Sequence, residues 1–202
     1  METKLLNIHD DIIQDEFLFR LNQEMEHGKW MFDCTGGPSK TYPEDRYRAY
    51  RFWGNTLWRR EDHDLHYTNM DHYNLIKQLF GFLEFYNNRF VPNLELRAMD
   101  INCNGQTIGQ NGGIHQDIWN DNFPNYSLMI MINNKWEKEW GGQFEIMESK
   151  DPNSKVAKTI EYKPGRVVFF DGSFPHRGMS PIVPNLLRKT IVLKCLQVNN
   201  PE

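Results

Sequence analysis

The pattern of this chain changes near Leu94, and that change limits its possible folds more than any other feature. Beyond Leu94, short runs of alternating, β-branched or aromatic residues are separated by turn formers such as Asn104-Gly105 and Pro164-Gly165. These runs predict strands over 94–102, 126–133, 143–147, 158–162, 166–170 and 188–198. Helices followed by many short strands are typical of an α+β fold with helices on one face of an antiparallel β-sandwich or barrel.

The part before Leu94 predicts two helices. Apolar residues at helical spacing predict a first helix that ends near Glu26, stops at Gly28 and is capped by Asp10 or Asp11. A second apolar stripe predicts a helix over about 71–88.

Between these helices, the glycines, prolines and charges of 34–70 predict a long ordered loop region. No linker or repeat divides the chain. We therefore expect one domain, 1–202, with a helical and loop part over about 1–93 and a β-core over about 94–198.

Composition and charge exclude several classes of protein. A hydrophobic content of 39% and an aromatic content of 13% exclude a disordered chain. The formal net charge of −4 gives no global positive field, so a nucleic-acid partner is disfavoured. Three widely spaced cysteines indicate a reducing compartment, and no signal peptide or membrane-spanning run is present. We expect a cytoplasmic protein with no membrane partner, and nothing in the sequence sets its oligomeric state.

A candidate metal site is formed by His115-Gln116-Asp117, which follows a strand and a glycine-rich loop. Residues i and i+2 of an extended segment project to one side, so an imidazole and a carboxylate can share a metal ion. His176, after the predicted strand 166–170, is the candidate for the third ligand. Two histidines and a carboxylate fit non-haem Fe(II), and they also fit a catalytic zinc. The chain's other H-x-D triplet, His9-Asp10-Asp11, falls at a predicted helix start and is not expected to bind metal.

A candidate carboxylate site lies on the last predicted strand. Arg188 and Thr190 share one face of it, opposite Lys189. A guanidinium beside a hydroxyl suits a carboxylate, because it offers a bidentate charge-assisted pair and one further donor. The alternative is an exposed Arg/Lys pair at the end of a strand.

The order His115-x-Asp117, His176, Arg188-x-Thr190 resembles the Fe(II)/2-oxoglutarate-dependent dioxygenases. Two further segments are similar to their prolyl-4-hydroxylase-like branch: Met131-Ile132-Asn133-Asn134-Lys135-Trp136 with Gly141-Gly142, and the run Pro164 to Phe170. The resemblance covers about 94–197. It implies a double-stranded β-helix (jelly-roll) core, Fe(II) on His115, Asp117 and His176, and the distal carboxylate of 2-oxoglutarate on Arg188 and Thr190.

The chain departs from that branch at two tyrosines that commonly contact 2-oxoglutarate. Met131 occupies the position of the first tyrosine. The second tyrosine would lie near Asn102, which is a candidate polar replacement. The gap from His176 to Arg188 is longer than usual, which leaves Lys189 as a fallback anchor although its side chain should point the other way.

The resemblance implies an enzyme that uses Fe(II), 2-oxoglutarate and dioxygen, hydroxylates a C–H bond of a small molecule or peptidyl residue, and releases succinate and CO2. The alternatives are a cupin-like jelly-roll isomerase or epimerase, and a binding module without catalysis. An isomerase would not need the carboxylate site, and a binding module would not need a metal with open positions.

The segment 42–66 interleaves aromatic residues with five arginines, and five nearby acids match them in number. It is interpreted as packing on the β-core with internal ion pairs, as a lid over the substrate site, or as a stacking platform for nucleic acid. His63-x-x-His66, with His72 further on, is a weaker candidate for a second metal site.

Overall fold

The computed structural model describes residues 5–35, 51–61, 65–120, 122–151 and 153–198. Two α-helices and eleven strands occur in these residues, in the chain order β1, α1, β2–β4, α2, β5–β11. Their bounds are β1 Leu6–His9, α1 Asp15–Glu26, β2 Met31–Thr35, β3 Arg51–Arg60, β4 His66–Thr68, α2 Tyr73–Phe90, β5 Leu96–Gln106, β6 Asn125–Met131, β7 Phe144–Met147, β8 Val156–Ile160, β9 Val167–Asp171, β10 His176–Gly178 and β11 Arg188–Gln197.

Two antiparallel sheets face each other. The larger has eight strands in the order β1-β9-β6-β11-β5-β3-β2, with β4 paired to β3, and the smaller has the order β10-β7-β8. Every strand pair is antiparallel. The α+β class predicted from the sequence pattern and the jelly-roll core that the family resemblance implies are both confirmed.

The two faces of the larger sheet bury different cores. Ile191, Leu193 and Cys195 of β11 pack in the core beneath α1 and α2. Val192 instead packs in the core between the two sheets. Because side chains alternate along a strand, Arg188, Thr190, Val192 and Lys194 share the face toward the smaller sheet.

The strands predicted beyond Leu94 match β5, β6, β7, β8, β9 and β11, with shifted ends. The prediction of a long loop over 34–70 is wrong for 51–60, which form the ten-residue strand β3, and for the short strand β4. Pairing with β5 along most of its length makes β3 a strand.

The predicted cap of α1 is also wrong. The helix begins at Asp15 with Gln14 as the N-cap residue, and no side chain caps it. Asp10 instead accepts hydrogen bonds from Arg166 at 2.8 and 2.9 Å. That ion pair holds the pKa of Asp10 down at about 2, so the carboxylate is engaged away from the helix end.

Neither helix of the described residues is long and apolar enough to cross a membrane.

Candidate metal centre and carboxylate pocket

Backbone pairing brings the three predicted metal ligands together. His115 and His176 face each other in an isolated antiparallel bridge, in which each amide donates to the other's carbonyl at 3.0 and 2.8 Å. Two residues on, the Asp117 amide donates to the Gly172 carbonyl at 2.9 Å. Backbone hydrogen bonds therefore fix all three residues before any metal is bound.

The histidine rings are oriented by their own chain. Nδ1 of His115 donates to the Gly113 carbonyl at 2.9 Å, and Nδ1 of His176 donates to the Phe174 carbonyl at 2.8 Å. A carbonyl only accepts, so each Nδ1 carries the proton and each Nε2 has a free lone pair. Those Nε2 atoms lie 3.7 and 3.5 Å from the Asp117 oxygens. One donor atom from each residue lies within 4.8 Å of the others, a spacing suited to one metal ion.

The electrostatics favour deprotonated ligands. Burial, and next the neighbouring His176, lowers the pKa of His115 to about 4, so the ring is neutral at pH 7. Burial by itself would raise the pKa of Asp117. Lys194 and His176 outweigh that effect and hold the pKa well below its usual range. A neutral imidazole and an ionised carboxylate are the forms that bind metals.

Asp117 accepts a hydrogen bond at one oxygen and forms an ion pair at the other. Ser127 Oγ donates to Oδ2 at 2.7 Å, and Lys194 Nζ lies 2.8 Å from Oδ1. Burial lowers the pKa of Lys194, but Asp117 outweighs it, so the pKa is raised and the side chain is an ammonium. Sequence reasoning noted neither residue as part of the site.

Gly172 allows Asp117 to approach the sheet. A Cβ at this position would lie 2.4 Å from the Asp117 carbonyl oxygen, too close for any real contact. We therefore expect Gly172→Ala to displace Asp117 and to weaken Co(II) binding at least about tenfold. Metal titration checks this. Gly81→Ala is the matched control, because a Cβ at that helix position would meet nothing within 4 Å. Equal Co(II) affinity in the two variants would contradict the expectation.

Arg188 is a buried cation whose charge has no acidic partner in the described part of the chain. Its side chain is 2% exposed. Nε donates to the Gly142 carbonyl at 2.7 Å and Nη1 donates to Gln106 Oε1 at 2.9 Å, while buried Nη2 has no hydrogen-bond partner. Burial lowers the pKa of Arg188 to about 10, so it remains charged at pH 7. Because an uncompensated buried charge is costly, this guanidinium fits an anion such as a carboxylate.

Thr190 and Lys189, the other two residues predicted on β11, lie on opposite faces of the strand. Thr190 is buried on the same face of β11 as Arg188, opposite Met131 on β6. Lys189 points the other way and pairs with Glu26 of α1, so it does not serve as a fallback anchor.

Asn102 lies on β5 opposite Val192 and donates to Asp100 Oδ2 at 2.5 Å. Its amide is thus engaged by a neighbour on its own strand. Its proposed contact with 2-oxoglutarate stays a prediction.

The segment 42–66 is described only in part, since 42–50 and 62–64 lie outside the described residues. Within the rest, Arg59 pairs with Asp100 of the neighbouring strand at 3.2 Å, which agrees with packing on the β-core. Of the weaker histidine group, His63 lies outside the described residues. His72 is buried between Asn55 and Glu24, at 3.2 and 3.3 Å.

Comparison with known families agrees with this chemistry. A sequence model described as the 2OG-Fe(II) oxygenase superfamily matches residues 99–193, which contain the three candidate ligands, Arg188 and Thr190. No curated protein is similar in sequence to this chain.

Several solved structures share the fold. An oxidoreductase of the 2OG-Fe(II) oxygenase family from Burkholderia pseudomallei has a TM-score of 0.69 at 14% identity, covering 98% of this chain and 88% of that one. A non-heme alpha-ketoglutarate-dependent carbocyclase from nogalamycin biosynthesis gives 0.66 at 10%, covering 97% and 81%. A Trichoplax adhaerens prolyl hydroxylase, in complex with a hypoxia inducible factor peptide fragment, gives 0.58 at 15%, covering 95% and 83%.

Fold, ligand geometry and family match lead to one assignment. The family match favours iron over the zinc alternative, and an oxygenase over an isomerase or a binding module without catalysis. Residues 99–193 match the 2OG-Fe(II) oxygenase superfamily, and this match together with the shared fold shows an oxygenase that uses Fe(II), 2-oxoglutarate and dioxygen.

Proposed function

We propose that this oxygenase hydroxylates a C–H bond of a small molecule or peptidyl residue and releases succinate and CO2. In this proposal His115, Asp117 and His176 hold Fe(II), and Arg188 with Thr190 receives the distal carboxylate of 2-oxoglutarate. The observation that carries the proposal is Arg188, a buried cation without an acidic partner in the described residues, on the sheet face that also carries Lys194 beside Asp117.

The side chains prepare the site before the metal arrives. The two Nδ1–H groups are bound to carbonyls, so both rings present Nε2 without rearrangement. Asp117 brings one negative charge, and its low pKa keeps that charge at neutral pH. Bound iron with 2-oxoglutarate and dioxygen supplies an oxidant able to attack an unactivated C–H bond.

A cluster of apolar side chains lies between the two sheets, on the sheet face that carries Arg188 and Thr190. Met129, Met131, Phe144, Phe170 and Val192 are buried together between the two sheets. Phe144 and Phe170 lie with ring centroids 5.3 and 4.8 Å from that of His176. Such walls exclude water from the site, which strengthens the electrostatic attraction between Arg188 and a carboxylate.

The loop after Asp117 is the part of the described chain best placed to contact the primary substrate. The Asn125 side chain holds it with four hydrogen bonds to the backbone of residues 119, 120 and 123. Its large apolar side chains nevertheless face solvent: Ile118 is 38%, Trp119 40% and Phe123 45% exposed. A fixed loop with exposed apolar residues beside a metal ligand supports binding of a substrate with an apolar portion.

Both substrate classes have a counterpart among the structural relatives. One relative is a prolyl hydroxylase solved with a peptide fragment, and another is a carbocyclase from nogalamycin biosynthesis. Those likenesses are of fold, and both classes therefore belong in the test.

The test is 2-oxoglutarate turnover by the purified protein. We expect a visible absorption band when 2-oxoglutarate is added anaerobically to the Fe(II)-loaded protein, and succinate when air is admitted. A panel of free amino acids, proline-containing peptides and polycyclic small molecules then identifies compounds that raise succinate formation and gain one oxygen atom by mass spectrometry. Iron-free protein is the control. Absence of both the band and succinate would contradict the proposal.

A further inference from the structure

The two oxygens of Asp117 have neighbours of different kinds. Oδ1 lies 2.8 Å from the ammonium of Lys194, while Oδ2 accepts a hydrogen bond from the Ser127 hydroxyl at 2.7 Å. Strand pairing sets this arrangement. Lys194 on β11 lies opposite Ser127 of β6 on one side and opposite Asp100 of β5 on the other. One oxygen of the carboxylate therefore faces a fixed charge and the other a neutral group.

This difference decides which oxygen a metal ion can use. An ammonium has three donors and no lone pair, so a dication on Oδ1 would be repelled by Lys194 at short range. A hydroxyl can rotate its proton, so Ser127 tolerates a metal ion on Oδ2. Each oxygen lies at a similar distance from one histidine, Oδ2 3.5 Å from His176 Nε2 and Oδ1 3.7 Å from His115 Nε2, so the neighbouring ammonium is what distinguishes the two oxygens.

A second acidic residue, Asp100, lies on the strand next to Lys194 and favours its charged form. Asp100 is its cross-strand partner on β5. Asp100 in turn accepts hydrogen bonds from Arg59 at 3.2 and 3.3 Å and from Asn102 at 2.5 Å. The negative charge of Asp100 therefore acts on the ammonium from the neighbouring strand, while the ion pair of Lys194 is with Asp117.

We propose that Lys194 is a positioning residue that restricts Asp117 to one metal-binding oxygen, Oδ2. This inference rests on the proposed iron site. An octahedral ion with three single-atom protein ligands keeps three positions, which suffice for the two chelating atoms of 2-oxoglutarate and for dioxygen. A carboxylate that used both oxygens would occupy one of those positions.

The experiment is titration of the metal-free protein with Co(II), followed by titration of the Co(II) protein with 2-oxoglutarate. In Lys194→Met we expect Co(II) to bind about tenfold more tightly, because a repelling charge is lost and a second oxygen becomes available. We expect 2-oxoglutarate to bind about tenfold more weakly, because one position is taken. The visible Co(II) spectrum of the variant should show the weaker absorption of a higher coordination number.

Lys194→Arg is the matched control, since it keeps the cation and should keep both affinities near those of the wild type. Lys194→Gln is the second neutral variant if Lys194→Met does not fold, as judged by circular dichroism. If the wild type binds both Co(II) and 2-oxoglutarate, weaker or unchanged Co(II) binding in the neutral variant overturns the inference about Lys194 and leaves the proposed function standing. A wild-type protein that binds neither overturns the proposed function, and this inference with it.

Discussion

Replacing Asp117 with alanine is expected to abolish succinate formation and to weaken metal binding by at least about 100-fold. The carboxylate is the one anionic group of the candidate triad, and the two remaining neutral imidazoles bring no charge to a dication. The substitution also leaves the cation of Lys194 beside the metal without the Asp117 counter-charge. Co(II) titration and succinate release measure the two effects separately.

The chain supplies its own control for this change. Asp11 is the aspartate of the other H-x-D triplet, and its side chain is 90% exposed. Asp11→Ala should leave metal affinity and succinate formation at the wild-type level. Asp117→Asn serves as a second variant that keeps the side-chain shape, should the alanine variant unfold. Full metal binding in Asp117→Asn and Asp117→Ala would contradict the assigned centre.

The strands that the sequence predicted are those whose own residues alternate or are strongly apolar. β9, for example, reads Val-Val-Phe-Phe-Asp and is buried over its first four residues. β3 was missed because it carries three arginines and a glycine among its ten residues, a composition that predicts a loop. Its strand conformation comes from pairing with β5 on one side and β2 on the other, and a local pattern does not contain that information.

The candidate metal ligands were predicted from the H-x-D spacing together with the family resemblance, and the spacing reflects local geometry. An H-x-D triplet needs only an extended backbone to place two ligands on one side, and the triplet at 115–117 lies on such a backbone. Because residues two apart along a strand share a face, Lys194 could have been assigned to the same face as Arg188 and Thr190. The strand pattern could not show that Asp117 is the ion-pair partner of Lys194. Asp117 reaches Lys194 only because the 115–117 segment lies against β9 and β10.

Arg188→Met is expected to weaken 2-oxoglutarate binding at least about 100-fold, because a charge-assisted contact from the buried guanidinium, whose Nη2 has no partner in the protein, is lost. Co(II) affinity should not change, since none of the hydrogen bonds of Arg188 reaches the triad. We also expect the free energy of unfolding to change by no more than about 1 kcal/mol. Removing a buried cation that lacks an acidic partner offsets the loss of its hydrogen bonds to Gly142 and Gln106. Urea unfolding of the metal-free protein measures this.

Arg177→Met is the matched control, because it removes an arginine that does have an acidic partner. Arg177 lies next to His176 and pairs with the buried carboxylate of Glu145 at 2.8 Å. Its loss leaves the buried Glu145 carboxylate without a cation and with only the Gln143 amide at 3.3 Å, so we expect about 1–3 kcal/mol less stability with little change in 2-oxoglutarate affinity. The two substitutions should therefore have opposite effects: Arg188→Met should lower 2-oxoglutarate affinity and keep stability, whereas Arg177→Met should lower stability and keep 2-oxoglutarate affinity. If Arg188→Met instead loses stability and keeps 2-oxoglutarate affinity, Arg188 is a structural cross-link and the carboxylate is bound elsewhere.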